Sequence, residues 1–195
     1  MNPSQADALL FFLERAGALK DTMRSAYTDE GRQESTAAHS WRLGLWVIVL
    51  EPYLEGYDVA QLLKMAVLHD LGEAVTGDIP AIEQSGDQSA RQDAEWQGLL
   101  QLTEPLDNDE RDQIISPARE YNQAKSKEAV LLKGLDKLET LLQHATGQNP
   151  EDFDYAFNLS YGEKWTSRHP LSAALRARID AMTRARLSQQ SSNGT

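Results

Sequence analysis

The sequence predicts an all-α fold, a single-domain helical bundle, and three observations carry that prediction. Apolar residues recur at three- and four-residue spacing along most of the chain. Strand-like alternation is nearly absent. Helix-capping and helix-breaking residues fall where the periodic runs begin and end. A chain of 195 residues has one core and one domain as the default. We place that domain at residues 1–188 and read the polar end, 189–195, as a disordered tail.

The elements follow in order. Residues 4–19 form an amphipathic helix with Leu9, Phe12, Leu13 and Ala16 on one face. Residues 20–34 are polar and contain Gly31, and read as a loop or a broken helix. Ser35 or Thr36 caps a helix to about Glu55, ended by Gly56. Asp58 caps the next, whose face carries Leu62, Met65, Ala66 and His69. Gly72, Gly77 and Pro80 then make a turn-rich segment. Helices follow at 88–102 and 108–122, the second interrupted in expectation by Pro117. Ser126 opens a long helix to Thr146, closed by Gly147. Asn149-Pro150 has the form of a new start, and a last helix runs from Pro170 to Ser188. The total is roughly seven to nine helices.

Composition excludes several classes of function. The formal net charge of -11 argues against non-specific binding to nucleic acid or an anionic membrane. A small anionic ligand is still allowed where a metal or a local basic group overrules the field. There is no cysteine, so disulfides, thiolate nucleophiles and cysteine zinc sites are out. No basic leader and no long apolar run occurs, which points to the cytoplasm.

Any metal must therefore be held by His, Asp or Glu. His69-Asp70 ends the apolar run Met65-Ala66-Val67-Leu68. A buried aspartate beside an imidazole is expensive unless something pairs with both, and a divalent cation does. The plain alternative is a helix-end histidine beside an exposed aspartate. Glu73, four residues after His69, can share its face, and Asp78 follows in the turn Thr76-Gly77-Asp78-Ile79-Pro80. A solvated Glu73 and an Asx-turn Asp78 are the alternatives there. His39 lies on the preceding helix, where a hairpin could bring it to His69, and Asp136 lies among Leu132, Leu135 and Leu138 on an inward face. Two histidines with carboxylates suit Mn, Co, Zn, Fe or Ni, and Mg less well.

His39, then His69-Asp70, then a distant Asp136 resembles the H…HD…D signature of HD-domain metal-dependent phosphohydrolases. The run from Ala66 to Pro80, with Arg32-Gln33-Glu34-Ser35 before His39-Ser40-Trp41-Arg42, resembles the 5'-deoxynucleotidase subgroup. The likeness spans about residues 15–145. It implies a bundle of the HD type with His39, His69, Asp70 and Asp136 as metal ligands and Glu73 and Asp78 as catalytic groups. It also implies a phosphate-binding arginine, matched best by Arg24, with Arg32 and Lys20 behind it. Two departures fall near the substrate: Ala38 stands where relatives have an acidic residue, and Ser25 stands where many nucleotidases have tryptophan. His144 and His169 are read as outside the site.

The function this implies is removal of phosphate from (deoxy)nucleoside 5'-monophosphates, with a small phosphorylated substrate as partner. The alternatives are a phosphodiesterase, a nucleoside polyphosphate hydrolase using the same metal site, or a non-catalytic metal- or nucleotide-binding module. Apolar faces on several helices would permit a homodimer.

Overall fold

A computed structural model describes residues 1–78 and 88–193 of the chain. Among them, seven helices of ten residues or more are joined by single-turn helices and one small hairpin, so the all-α expectation holds. The long helices are α1 (Pro3–Ala16), α2 (Thr36–Leu50), α3 (Val59–Leu68), α5 (Gln88–Leu102), α6 (Asn108–Gln123), α7 (Lys127–Thr146) and α10 (Pro170–Asn193). The short ones are α4 (Glu73–Thr76), α8 (Tyr155–Asn158) and α9 (Glu163–Thr166).

Local chemistry explains most boundaries. The side chains of Ser35, Asp58 and Ser126 accept from the backbone N–H of Ala38, Gln61 and Ala129, capping α2, α3 and α7 as the sequence indicates. α7 runs through the middle of the bundle. Its Leu131, Leu132, Leu135, Leu138 and Leu141 are buried against Leu43 and Val47 of α2, Leu62 and Met65 of α3, and Ile179 of α10. A second cluster joins Phe12, Leu19, Leu71, Leu99, Leu102 and Ile115 from α1, α5, α6 and the segments between. The site lies where α2, α3 and α7 meet, with α5 closing one side.

That closure depends on two glycines. A Cβ on Gly72 would stand 2.2 Å from the Glu95 carbonyl oxygen, and one on Gly98 would stand 2.8 Å from the Gly72 carbonyl oxygen. The start of α4 and the middle of α5 thus touch backbone to backbone, which any side chain at 72 would prevent.

Five boundaries differ from the sequence expectation. α2 ends at Leu50 instead of near Glu55, because Pro52 follows in a separate tight turn, Glu51–Tyr53. Residues 20–34 are not simply a loop: β1 (Met23–Tyr27) and β2 (Gln33–Ser35) pair antiparallel with an irregular register. The hairpin escapes a pattern search because only Ala26 and Glu34 of its residues are buried. Gly31, at φ 77°, makes the turn. The end of α7 holds the hairpin in place, with Gln143 donating to the Tyr27 carbonyl and the Gln148 N–H donating to the Thr28 carbonyl. α6 runs unbroken through Pro117, since burial of Ile115, Pro117, Ala118 and Tyr121 offsets the lost hydrogen bond. No helix starts at Asn149-Pro150. The Asn149 amide is tied back to the His144 carbonyl at 2.6 Å, and the next helix, α8, is capped by Asp154. α10 continues past Ser188 to Asn193. The Ile79-Pro80 end of the turn that holds Asp78 and residues 194–195 of the tail lie outside the described residues.

Candidate active site

The hairpin of α2 and α3 brings two imidazoles together, their rings tilted by 56°. His39 Nε2 lies 3.3 Å from His69 Nε2. Asp70, just past the end of α3, places Oδ2 3.0 Å from His69 Nε2 and 3.8 Å from His39 Nε2. The histidines and Asp70 thus offer ligand atoms all within 4.8 Å of one another. Asp136, from the middle of α7, joins through His39, with Oδ1 3.3 Å from Nε2.

The other ring nitrogens decide what this cluster can hold. His69 Nδ1 is 3.1 Å from the Ala66 carbonyl oxygen and must donate to it. His39 Nδ1 is hydrogen-bonded to the buried Glu139 carboxylate. Each imidazole with Nδ1 committed as donor presents the Nε2 lone pair inward. Two lone pairs and one Asp70 oxygen then converge with edges of 3.0 to 3.8 Å, and Asp136 Oδ1 lies 3.3 Å from His39 Nε2 at the margin of the cluster. A shell of ligands about 2.1 Å from one ion has edges of about 3 to 3.4 Å. The donor set and its spacing therefore fit a divalent cation.

A second layer holds these ligands in position. The Arg42 guanidinium grips Glu139 through Nε at 2.7 Å and Nη2 at 2.6 Å. Burial opposes the charge on Glu139, but His39, Arg42 and Arg24 keep it ionised. Asp136 Oδ2 accepts from Tyr121 Oη at 2.7 Å and pairs with Lys137 Nζ at 3.0 Å, which leaves Oδ1 to face His39. Burial likewise opposes ionisation of Asp70, and the two histidines overcome it.

Glu73 opens α4 and is buried. Thr36 Oγ1 donates to its Oε2 at 3.0 Å. Burial, with repulsion from Asp70 and Asp78, pushes the Glu73 carboxyl up to about 9. Asp78, after Gly77 at φ 77°, is half-buried. Its carboxyl is raised by that burial, against the pull of Arg24. Arg24 on β1 reaches over the cluster. Its Nη1 lies 3.5 Å from Asp70 Oδ2, its Nε lies 3.6 Å from the buried Glu34, and its Nη2 donates to Thr140 Oγ1 at 3.1 Å.

All seven residues singled out in the sequence, His39, His69, Asp70, Glu73, Asp78, Asp136 and Arg24, thus share one neighbourhood. The weaker basic candidates Lys20 and Arg32 are exposed. His144 is bonded to Asn158 at 3.0 Å, and His169 Nδ1 accepts from the Leu171 N–H at the start of α10, so both are structural. Sequence reasoning missed Glu139, Tyr121 and Lys137, and gave Glu34, Thr36 and Arg42 no part in the site. Glu139 stands three residues after Asp136 and Arg42 three after His39, on the same helix face, and that spacing is the signal for them. It also missed the far wall of the cleft, where Glu95, Trp96 and Leu99 of α5 and Asn122 of α6 face His69, Asp70 and Glu73. A larger, shallow concavity against Tyr155 and Arg186 contains none of these groups.

Fold and site together define a helical protein with a His/Asp cluster suited to a divalent metal. The HD domain family model matches residues 16–175. The 5'-deoxynucleotidase HDDC2 of Homo sapiens is 31% identical over 141 residues, covering 71% of this chain and 67% of that protein. The Dictyostelium discoideum protein of the same name is 30% identical over 142 residues, covering 69% and 74%. A protein of Pyrococcus horikoshii has the same fold at a TM-score of 0.60 and 27% identity, covering 90% of this chain and 98% of that one. The structure described as a predicted metal-dependent phosphohydrolase from Magnetospirillum magnetotacticum superposes at a TM-score of 0.74 over 93% and 94%, with 24% identity. The chain belongs to the HD domain family, and with it to the metal-dependent phosphohydrolases. No helix among the described residues is long and apolar enough to cross a membrane.

Proposed function

We propose that the chain is a phosphomonoesterase that removes phosphate from (deoxy)nucleoside 5'-monophosphates. The observation that carries this is the gathering of a buried, proton-holding Glu73 and a guanidinium, Arg24, beside the His39–His69–Asp70 cluster. A non-catalytic metal site has no use for either group. The printed names of the HDDC2 relatives support the choice of substrate.

His39, His69, Asp70 and Asp136 are the residues that would hold the ion, which we assign to Mn, Co, Zn, Fe or Ni from its nitrogen and oxygen donors. When bound, such an ion supplies positive charge to phosphate oxygens and lowers the pKa of water. Arg24 meets the phosphate from the opposite side with two parallel N–H donors. Glu73, protonated in its buried setting, hands its proton to the departing 5'-oxygen, and Thr36 keeps the carboxyl aimed. Asp78 accepts from the attacking water or a sugar hydroxyl. Glu95, Trp96 and Asn122 on the far wall face the nucleoside. The same reading puts the enzyme in the cytoplasm.

Side-by-side assay of metal-loaded chain on nucleoside monophosphates, cyclic nucleotides and polyphosphates tests the proposal. Phosphate release from the 5'-monophosphates is expected. Turnover of only the cyclic or polyphosphate substrates would overturn it.

A further inference from the structure

Charge is unevenly spread along the chain. Residues 124–195 carry ten Lys and Arg against eight Asp and Glu, while the whole chain stands at -11. Part of that basic excess is gathered on one ring. Lys133 Nζ lies 5.4 Å, Lys164 Nζ 5.3 Å and Arg168 Cζ 4.7 Å from the centroid of Trp165. The fold builds this grouping. Gly162, at φ 71°, lays the backbone on the stem of Lys137, where a Cβ would stand 2.7 Å from the Lys137 Cβ. A Cβ on Gly134 would stand 3.3 Å from the Trp165 carbonyl oxygen. These two glycines seat α9 on α7, with Trp165 beside Lys133. Three cations round one indole are more than packing needs. One suffices for a cation–π contact, and each further one adds repulsion inside a Debye length of about 8 Å. Lys137 is paired with Asp136 and Arg176 with Asp180, but among the described residues none of the three is paired with a carboxylate. Burial also works against the charge on Lys133 and brings its pKa down to about 8, despite the pull of Asp136.

We propose that Lys133, Lys164, Arg168 and Trp165 form a second anion site, outside the catalytic cleft, for a small phosphate-bearing molecule. None of the four lines the cleft between His69 and Glu95. A compact, multiply charged group can meet three cations spread round one ring, and the forked guanidinium of Arg168 suits phosphate oxygens. A nucleic-acid strand would run on into the acidic remainder of the surface. The site is also linked to the first. Lys133 Nζ lies 3.8 Å from the centroid of the Tyr121 ring. Tyr121 Oη donates to Asp136 at 2.7 Å, and its ring meets that of His69 at 5.0 Å between centroids. An anion that draws Lys133 towards Trp165 takes a cation off the Tyr121 ring, and the change is felt at Asp136 and His69.

Calorimetric titration of inorganic tripolyphosphate into the metal-free, full-length chain should show saturable binding. Lys164 and Arg168 are exposed, so their replacement spares the fold. Lys164→Ala with Arg168→Ala should weaken binding by about ten- to a hundredfold for each charged contact removed. Arg178→Ala with Arg184→Ala removes the same charge from exposed positions of α10 and should leave binding unchanged. Arg24→Ala, in the cleft, should leave it unchanged too. No binding, or binding that is lost in Arg24→Ala and kept in the Lys164/Arg168 variant, would overturn the proposal. ATP beside tripolyphosphate separates the two sources of phosphate. Tighter binding of ATP that falls to the tripolyphosphate level in Trp165→Leu assigns a nucleotide, and equal binding assigns phosphate alone. The His69 ring resonances should shift as tripolyphosphate binds, and stay still in Lys133→Met. A shift that persists in Lys133→Met would overturn the link between the sites.

Discussion

His39 Nε2 and His69 Nε2 face each other at 3.3 Å while the other nitrogen of each ring is bound elsewhere. In the cation-free chain a proton eases that contact. Burial and Arg24 work against a charged His39, but Glu139 and Asp136 prevail and push it up to about 10. A bound cation replaces that proton. Metal affinity is therefore expected to rise with pH, with protons released on binding. Titration calorimetry in buffers of different ionisation enthalpy measures this directly. A binding heat independent of buffer would contradict it.

Removal of the metal should destabilise the fold. A ligand at a hundred times its Kd stabilises by about 2.7 kcal/mol, or roughly 5–10 °C of melting temperature for a domain of this size. Scanning calorimetry before and after chelation, with metal content measured in parallel, should show that shift. The His69→Ala variant should lose it.

Glu139 is hydrogen-bonded to His39 Nδ1 and would act on a bound metal through that ring. Replacing the partner that orients a ligating histidine typically costs ten- to a hundred-fold in metal affinity. Glu139→Gln should weaken metal binding by about that factor while the helical circular dichroism stays intact. Unchanged affinity would mean that the Arg42–Glu139 pair only supports packing.

Glu73→Gln removes the proposed acid and should lower kcat by roughly 10² to 10⁴, with metal retained. The same variant gives a stability test. Glu73 titrates near 4.5 when unfolded and near 9 when folded without metal. Its raised value means the folded chain holds the proton more tightly, so stability is full below about pH 4.5 and drains away as pH rises towards 9. Glutamine mimics the protonated form at every pH. The metal-free variant should therefore gain melting temperature over wild type at pH 8 and gain little at pH 5. Equal gains at both would refute the assigned burial effect.

Arg24 binds Asp70 and Glu34 at 3.5 and 3.6 Å and donates to Thr140 through a planar fork. Lysine keeps the charge and loses the fork. Arg24→Lys should raise KM for a nucleoside 5'-monophosphate more than it lowers kcat. Full activity in Arg24→Lys would show that charge alone suffices.

The helices were legible because burial writes a period into them, and their caps were legible because Ser35, Asp58 and Ser126 each satisfy a backbone N–H nearby. The gathering of His39, His69 and Asp70 was legible because histidine and aspartate at the end of an apolar run need a partner. The hairpin carrying Arg24 was not, because α7 holds it in place and its own side chains show no alternation. Tyr121, Glu95 and Trp96 were not, because only the packing of α5 and α6 brings them to His69 and Asp136.

α7 holds Asp136 against His39, Thr140 against Arg24, and Gln143 and Gly147 against the base of the hairpin. Asp136 and Thr140 are one helical turn apart, a rise of about 6 Å. The interval between Asp136 and the Arg24 guanidinium is therefore read off a single rod, as on a gauge block. Both ends of that interval are fixed by α7, so one helix sets its width.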